Sequence, residues 1–257
     1  MFRSALLIFL AVFGPNFAHA LATRGKNKIP SYIKICSRSD PYLNECVKSS
    51  VEAIKPYLGE GIPELMIPKC NPLKLEDDIN VELFTEPNFI RVTYSDVQIM
   101  GATDFKLTSV DLDLMTNVFK VGIDLPKLET IGNLDIKGKV SSLPIAGQGP
   151  SHGNYTDVHA DAILVCENII QNNEIYLNVK DISVKISMGY VHLNLQKVFA
   201  GEFGKFMDEF LGKNSETIAE EIIPLLEKSI GAMFQKLSNR IFNKFPLDEL
   251  LPPKNVF

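Results

Sequence analysis

Residues 158–166 read Val-His-Ala-Asp-Ala-Ile-Leu-Val-Cys. Val158, Ala160, Ala162, Leu164 and Cys166 are apolar, and His159 and Asp161 fall between them. A period of two sends alternate side chains to opposite faces of a strand, one toward a core and one toward water. The same signature recurs in both directions. Upstream, Phe119, Val121, Ile123 and Leu125 alternate, as do Leu134 and Ile136, and residues 89–100 (FIRVTYSDVQIM) mix apolar and polar positions in strand fashion. Phe105 and Leu107 sit on odd positions but Val110, Leu112 and Leu114 on even ones, which predicts a bulge near Ser109. Downstream, Ile175, Leu177 and Val179 give way to Ile182, Val184, Ile186 and Met188, then past Gly189 to Val191, Leu193 and Leu195. Each change of register marks a place where a strand bends. Long strands of this kind predict a strongly curved antiparallel sheet covered on one side.

Helical periodicity flanks the strands. Leu43, Val47, Val51, Ile54 and Leu58 share one face of an early helix, with Asp40 expected as N-cap and Pro41 at the first helical position. A Pro-rich connector, residues 59–75, follows. Near the other end, Phe203, Phe206, Met207, Phe210 and Leu211 form an amphipathic segment. After Gly212-Lys213-Asn214, a second helix is expected from Glu216 to Asn243, with Ser215 as cap and Pro224 as a kink or break. At 1.5 Å per residue it spans ~40 Å, a length that a bending sheet can wrap. The fold class is α+β, a single elongated domain over residues 21–257.

Residues 1–20 are expected to be a secretory signal peptide. Arg3 precedes the apolar run Ala5–Phe13, Gly14-Pro15 break it, and Ala18-His19-Ala20 has the small-x-small form of a cleavage site. Nine apolar residues are too few to span a bilayer core of about 30 Å. A secreted, extracellular protein can hold disulfides, and of its 4 Cys, Cys36 and Cys46 are the obvious pair, two free thiols being the alternative. Cys70 and Cys166 either pair or serve as small core residues. Asn154-Tyr155-Thr156 is a glycosylation sequon next to the Gly/Pro/Ser stretch 147–153, expected to be an exposed loop.

The chain of 257 residues is 46% hydrophobic with a formal net charge of -5. That apolar content supports one sizeable core, and the charge argues against nucleic-acid binding. No HExxH, CxxC, GxSxG or GxxxxGK[ST] is present, so neither metal nor cofactor is implied and no enzyme is expected. His159 and Asp161 share a strand face, which suits a solvated polar surface far better than a loosely held ion. Adjacent acids such as Asp77-Asp78 and Glu220-Glu221 point in different directions and suit surface solvation better than acid/base catalysis.

Ser31-Tyr32-Ile33-Lys34-Ile35-Cys36, Ser37-Arg38-Ser39-Asp40-Pro41 and Leu43-Asn44-Glu45-Cys46 resemble the N-terminal signature of the insect takeout and juvenile-hormone-binding proteins. Gly61-Ile62-Pro63-Glu64-Leu65 and Pro72-Leu73 continue it. Leu193-Asn194-Leu195 with Phe199-Ala200-Gly201, and then Phe242 through Pro252 (FNKFPLDELLP), resemble the family's C-terminal motifs. The likeness covers residues 31–252. It implies a tubular lipid-binding fold in which a curved antiparallel sheet wraps a long helix around an internal apolar tunnel. It further implies a carrier of terpenoid, fatty-acyl or similar ligands, and Cys36–Cys46 fits the first bridge of the takeout branch. No Cys follows Cys166, so the second bridge of the hormone carriers cannot form in the same way. This favours the takeout-like branch with its circadian clock-controlled members.

Tunnel-wall candidates are Phe105, Leu107, Phe119, Val121, Leu134, Ile136, Leu164, Met188, Phe206, Phe210, Met233, Phe234 and Leu237, with Tyr94, Tyr176 and Tyr190 as polar contacts. Burial of apolar ligand surface at about 25 cal/mol per Å2 would supply the affinity. The expected partner is a small hydrophobic ligand, with an unidentified receptor and without stable membrane insertion. The alternative is an extracellular signalling or interaction protein whose tunnel is vestigial.

Overall fold

The computed structural model describes residues 29–85, 88–140, 143–195, 197–199, 204–205 and 215–253. The expected signal peptide, and Phe206 and Phe210 among the tunnel candidates, lie outside the described residues. In chain order the elements are α1 (Leu43–Leu58), a 3-10 turn (Pro63–Leu65), β1 (Leu73–Lys74), β2 (Ile79–Thr85), β3 (Asn88–Met100), β4 (Lys106–Asp113), β5 (Val118–Val140), β6 (Leu143–Gln171), β7 (Glu174–Ser187), β8 (Tyr190–Asn194), α2 (Ser215–Phe242) and α3 (Leu247–Leu250).

The strands form one curved antiparallel sheet in the order β1-β3-β5-β6-β7, with β2 on β3, β4 on β5 and β8 on β6. The long strands β5 and β6 are its spine. At one end they are flanked by β3 and β8, at the other by β4 and β7. Register shifts fall at Ser95/Gln98, at Leu107/Ser109 and at Val165/Cys166. The bulge expected near Ser109 is thus present. Within β6, Asp157 has φ 51, and the buried positions switch there from the odd Ser151 and Gly153 to the even Val158 and Cys166.

Two local expectations are corrected. Residues 147–153 are not an exposed loop but part of β6, paired with β5 from Gly132↔Ser151 to Ile136↔Gly147. Their glycines serve close approach. A Cβ at Gly149 would lie 2.2 Å from the Lys197 carbonyl oxygen, and one at Gly147 2.5 Å from the Phe199 ring. Residues 197–199 thereby lie flat on the strand, and Leu195, Val198 and Phe199 pack with Leu134 and Ile145. Asn154, paired with Glu129 and His192, accordingly sits half-buried in mid-sheet. The second correction concerns α1, which begins at Leu43 after Tyr42. Asp40 accepts the Tyr42 amide at 2.9 Å and so closes the preceding turn instead of capping the helix.

Helix α2 continues through Pro224 and lies along β7, an edge strand. Three helix side chains take up backbone groups that no neighbouring strand reaches. Asn239 accepts the Val179 amide at 2.7 Å and donates to the Val179 carbonyl at 3.1 Å. Gln235 donates to the Val179 and Lys180 carbonyls, each at 3.0 Å. Glu227, 8% exposed, accepts the Ile186 amide at 2.9 Å and pairs with Lys185 at 2.8 Å. Below α2, Phe119, Cys166, Leu177 and Val179 pack with Phe242, Leu247 and Leu251.

The two ends of the described chain clasp one another. The Arg38 amide donates to the Pro252 carbonyl at 2.9 Å, its Nε to the Leu251 carbonyl at 2.8 Å, and its guanidinium to Asp248. Ser39 Oγ donates to the Pro253 carbonyl at 2.8 Å. Beside this clasp, Ile62 and Phe245, both 0% exposed, join Leu65 in a third apolar cluster. Cys36 and Cys46 form a disulfide with Cα atoms 5.9 Å apart, tying the N-terminal arm to α1. Cys70 and Cys166 are unpaired thiols. Burial pushes the Cys166 thiol up to about 11 and raises that of Cys70, which disfavours the thiolate at both.

Two outcomes follow from these contacts. Asn239→Ala would strand the edge amide of Val179, and denaturant unfolding should register a loss of about 1–3 kcal/mol; an unchanged midpoint would show that the helix is not held there. His159 lies between Asp124 (2.6 Å) and Asp161 (3.1 Å), which raise its pKa through hydrogen bonds, that to Asp124 first. Its stabilisation is fully present below its ordinary value near 6.5 and is lost as pH rises through the elevated folded value. A melting curve measured across that window should therefore decline with pH in the parent chain more than in His159→Asn.

Candidate functional site

Between α2 and the segment running from β1 into β2 lies a half-open cavity of about 490 Å3. Leu73, Leu75 and Ile79 form one wall, Ile230, Met233, Phe234 and Leu237 the other, and Pro68 closes one side. These apolar walls follow from two local patterns. Residues 229–240 are helical, so Ile230, Met233, Phe234 and Leu237, spaced three and four apart, share one stripe. Leu73 and Leu75 alternate with Lys74, so they face the groove together.

The rim carries charges of opposite sign on opposite sides. Arg240 forks onto Glu76, with Nη1 to Oε1 at 2.7 Å and Nη2 to Oε2. Lys236 reaches Asp77 at 2.7 Å and Glu76 at 3.5 Å. The Arg240 guanidinium, chiefly by hydrogen bonding, holds the Glu76 carboxyl down at about 2. Asp77 raises Lys236 and Glu76 raises Arg240 in return. Residues 75–78 therefore act as a strap, joined to the helix by solvent-exposed ion pairs worth roughly 0–1 kcal/mol each.

A second feature lies beside the groove. Tyr94 stands directly opposite Ile79 in the β2–β3 ladder, on the concave face. Its hydroxyl donates to Thr130 Oγ1 at 3.2 Å, and Thr130 is 3.4 Å from the Tyr155 hydroxyl. The Ser151 side chain also hydrogen-bonds Tyr94, and burial raises the pKa of both tyrosines. Space for the rings comes from glycine. A Cβ on Gly132 would meet the Tyr94 ring at 2.6 Å, and one on Gly153 the Tyr155 hydroxyl at 2.5 Å. The outcome is a small polar island on an otherwise apolar concave surface.

Of the tunnel candidates, Met233, Phe234 and Leu237 line the groove. Leu134 and Ile136 pack with Leu195, Val198 and Phe199, and Phe119 and Leu164 in the cluster beneath α2. Phe105 lies under Lys55, whose Nζ is 4.9 Å from the ring centroid. Leu107 is buried on β4, Val121 stands opposite Ala162, and Met188 is half-buried just past β7.

Two expected polar contacts are corrected by strand parity. Tyr176 shares the outer face of β7 with Glu174, to which it donates at 3.2 Å, because the inward positions there are Leu177 and Val179. Tyr190, 59% exposed, stacks on His192 on the outer face of β8. Tyr155, Thr130 and Ser151 were missed because they lie in the stretch read as loop or at polar positions of a strand. The strap was missed because Leu73, Leu75 and Ile79 sit in a segment too irregular for periodicity. His159 engages both carboxylates through its two ring nitrogens, and among the described residues no group of three His, Cys, Asp or Glu is arranged to hold a metal.

Known proteins agree with this architecture. The chain is 23% identical to the "Circadian clock-controlled protein daywake" of Drosophila melanogaster over 230 residues, covering 86% of this chain and 87% of that protein. It is 20% identical to the "Putative beta-carotene-binding protein" of Schistocerca gregaria over 225 residues, covering 86% and 88%. The crystal structure of Epiphyas postvittana Takeout 1 superposes with a TM-score of 0.69 at 18% identity, over 85% of this chain and 99% of that one, and so shares its fold. The family model for haemolymph juvenile hormone binding protein matches residues 8–252. With sheet, helix and both end motifs in place, the chain belongs to the haemolymph juvenile hormone binding protein family.

Proposed function

We propose that this protein is a secreted, non-catalytic carrier that holds a small hydrophobic ligand, fatty-acyl or terpenoid in class, in the groove between α2 and the 73–80 segment. The observation that carries this reading is the groove itself, apolar on both walls and about 490 Å3 in volume. Small-molecule sites typically fall between roughly 300 and 1,000 Å3 and are mostly apolar with a few polar groups. Tyr94 and its partners provide such groups directly across the β2–β3 ladder from Ile79, where a ligand's polar end would find hydroxyls. The name of the Schistocerca relative is consistent with an apolar cargo. The signal-like residues 1–20 and the Cys36–Cys46 disulfide support export into an oxidising compartment. Removing apolar ligand surface from water at about 25 cal/mol per Å2 drives uptake, and the exposed rim pairs let the strap open at small cost.

Displacement of a fluorescent fatty-acid probe from the chain lacking residues 1–20 tests the carrier reading. Met233→Trp, which fills the groove, should weaken probe binding about tenfold, equivalent to ~1.4 kcal/mol, without lowering the melting temperature. Unchanged probe affinity in that variant, or no saturable binding by the parent chain, would count against the groove.

Release kinetics test the strap. Removing the cations with Lys236→Ala and Arg240→Ala should speed probe dissociation severalfold, and added salt should speed the parent chain but not the double variant. Mild acid should leave the Glu76–Arg240 pair closed, since Glu76 stays ionised until pH falls toward about 2. Salt-independent release from the parent would remove the strap from the mechanism.

A further inference from the structure

The sequon Asn154-Tyr155-Thr156 plays no part in the groove, and the sequence holds no other Asn-x-Ser/Thr. A strand in mid-sheet can still offer one side to solvent, and parity decides which. Tyr155 turns its ring to the concave side, where its hydroxyl lies 3.4 Å from Thr130. The buried Ser151 and Gly153 share that side. Alternation therefore puts Asn154 and Thr156 on the convex, outer face of β6.

The surroundings of Asn154 differ on its two flanks. Toward β5 it stands opposite Glu129, whose carboxylate is taken by Lys127 at 2.5 Å and lies 3.7 Å from His152. Toward β8 it stands opposite His192, and Thr156 stands opposite Tyr190. The Tyr190 and His192 rings are stacked, with 6.5 Å between centroids and 10° between planes, and Tyr190 is 59% exposed. Directly opposite residues in a ladder are about 5 Å apart and diagonal ones about 7–8 Å, so both rings lie within reach of a sugar joined to Asn154. Among the described residues the Asn154 side-chain amide has no hydrogen-bond partner, which leaves its nitrogen uncommitted.

An aromatic pair lying on the solvent side of a strand adds nothing to the core. A sugar suits such a pair, because one face of its ring is made of C–H groups that pack on an aromatic surface while its hydroxyls stay in water. We propose that Asn154 carries an N-linked glycan whose first sugars rest on Tyr190 and His192, across the outer face of β6 and β8. In the transfer, the Asn154 amide nitrogen attacks the anomeric carbon of an oligosaccharide carried on a lipid diphosphate. The new C–N bond replaces the C–O bond to the diphosphate, which departs with the bonding electrons, and the amide gives up one proton. The transfer takes place on the extended chain during export, before β6 pairs with β5 and β8, so half-burial of Asn154 in the finished sheet does not obstruct it. The proposal rests on the carrier reading only for export, since the transferase and its donor belong to the secretory compartment.

Mass spectrometry of the full chain expressed and secreted from insect cells tests attachment. The product should be heavier than the polypeptide by one oligosaccharide, with the addition found on Asn154 in the glycopeptide. Asn154→Gln and Thr156→Ala should each remove it, whereas Thr156→Ser keeps it. Thermal unfolding tests the seating. The glycosylated chain should melt about 2–4 °C above the same chain purified from tunicamycin-treated cells. That gain should vanish in Tyr190→Ala/His192→Ala although the added mass persists. An exported chain at bare polypeptide mass overturns the proposal, and so does a glycan whose melting gain is absent or survives loss of both rings. Retention of the chain inside the cell overturns export and this proposal together, while the groove remains open to test with the fatty-acid probe. Failure of that probe leaves the glycan tests standing.

Discussion

The edge of a β-sheet presents amide and carbonyl groups that must find partners wherever another element covers them. In this protein β7 is such an edge, and α2 covers it. The apolar packing between them is ordinary, but it is the side chains of Asn239, Gln235 and Glu227 that set where the helix lies. Each is directed at a particular backbone group, so a helix shifted along β7 by one residue would lose all three at once. Apolar stripes alone tolerate sliding; this arrangement does not. The position of α2 in turn decides the width of the groove against residues 73–80 and the alignment of Lys236 and Arg240 with Asp77 and Glu76.

The helix thus has two different neighbours. Along β7 its polar contacts are sheltered, with Glu227 only 8% exposed. Across the groove its contacts to the strap are solvent-exposed ion pairs. Buried hydrogen bonds that would leave an orphan if broken are costly to open, whereas exposed ion pairs are cheap and salt-sensitive. The asymmetry gives the groove one wall held by sheltered hydrogen bonds and one held by exposed ion pairs.

Much of this was legible in the residues. Alternation in the 158–166 stretch and its neighbours revealed the strands, and the parity change around Ser109 revealed a bulge, because a period of two is unforgiving about register. The long helix from Ser215 was readable from its stripe. What escaped had physical causes. Residues 147–153 look like a loop because glycine and proline dominate them, yet the glycines are there so that Phe199, Lys197 and Tyr155 can lie against the strand. Tyr176 and Tyr190 looked equivalent to Tyr94 because residue type says nothing about face when neighbouring positions are apolar on both sides. Packed core and ligand wall share one vocabulary of Leu, Ile, Phe and Met. Only the placement of α2 separated Met233, Phe234 and Leu237 from Phe119 and Leu134.

The clasp between the chain ends also sets an order of events. Arg38 is emerging from the ribosome more than two hundred residues before Leu251, to whose carbonyl its side chain is bonded. Contacts of such separation form late, because the intervening chain must first be confined. The N-terminal arm can be tied to α1 early by its short-range disulfide, but it stays undocked until the last turn of chain arrives. Ile62 and Leu65 likewise wait for Phe245. Docking of the N-terminal arm is thereby tied to the arrival of residues 245–253, and until then its apolar surface stays open to water.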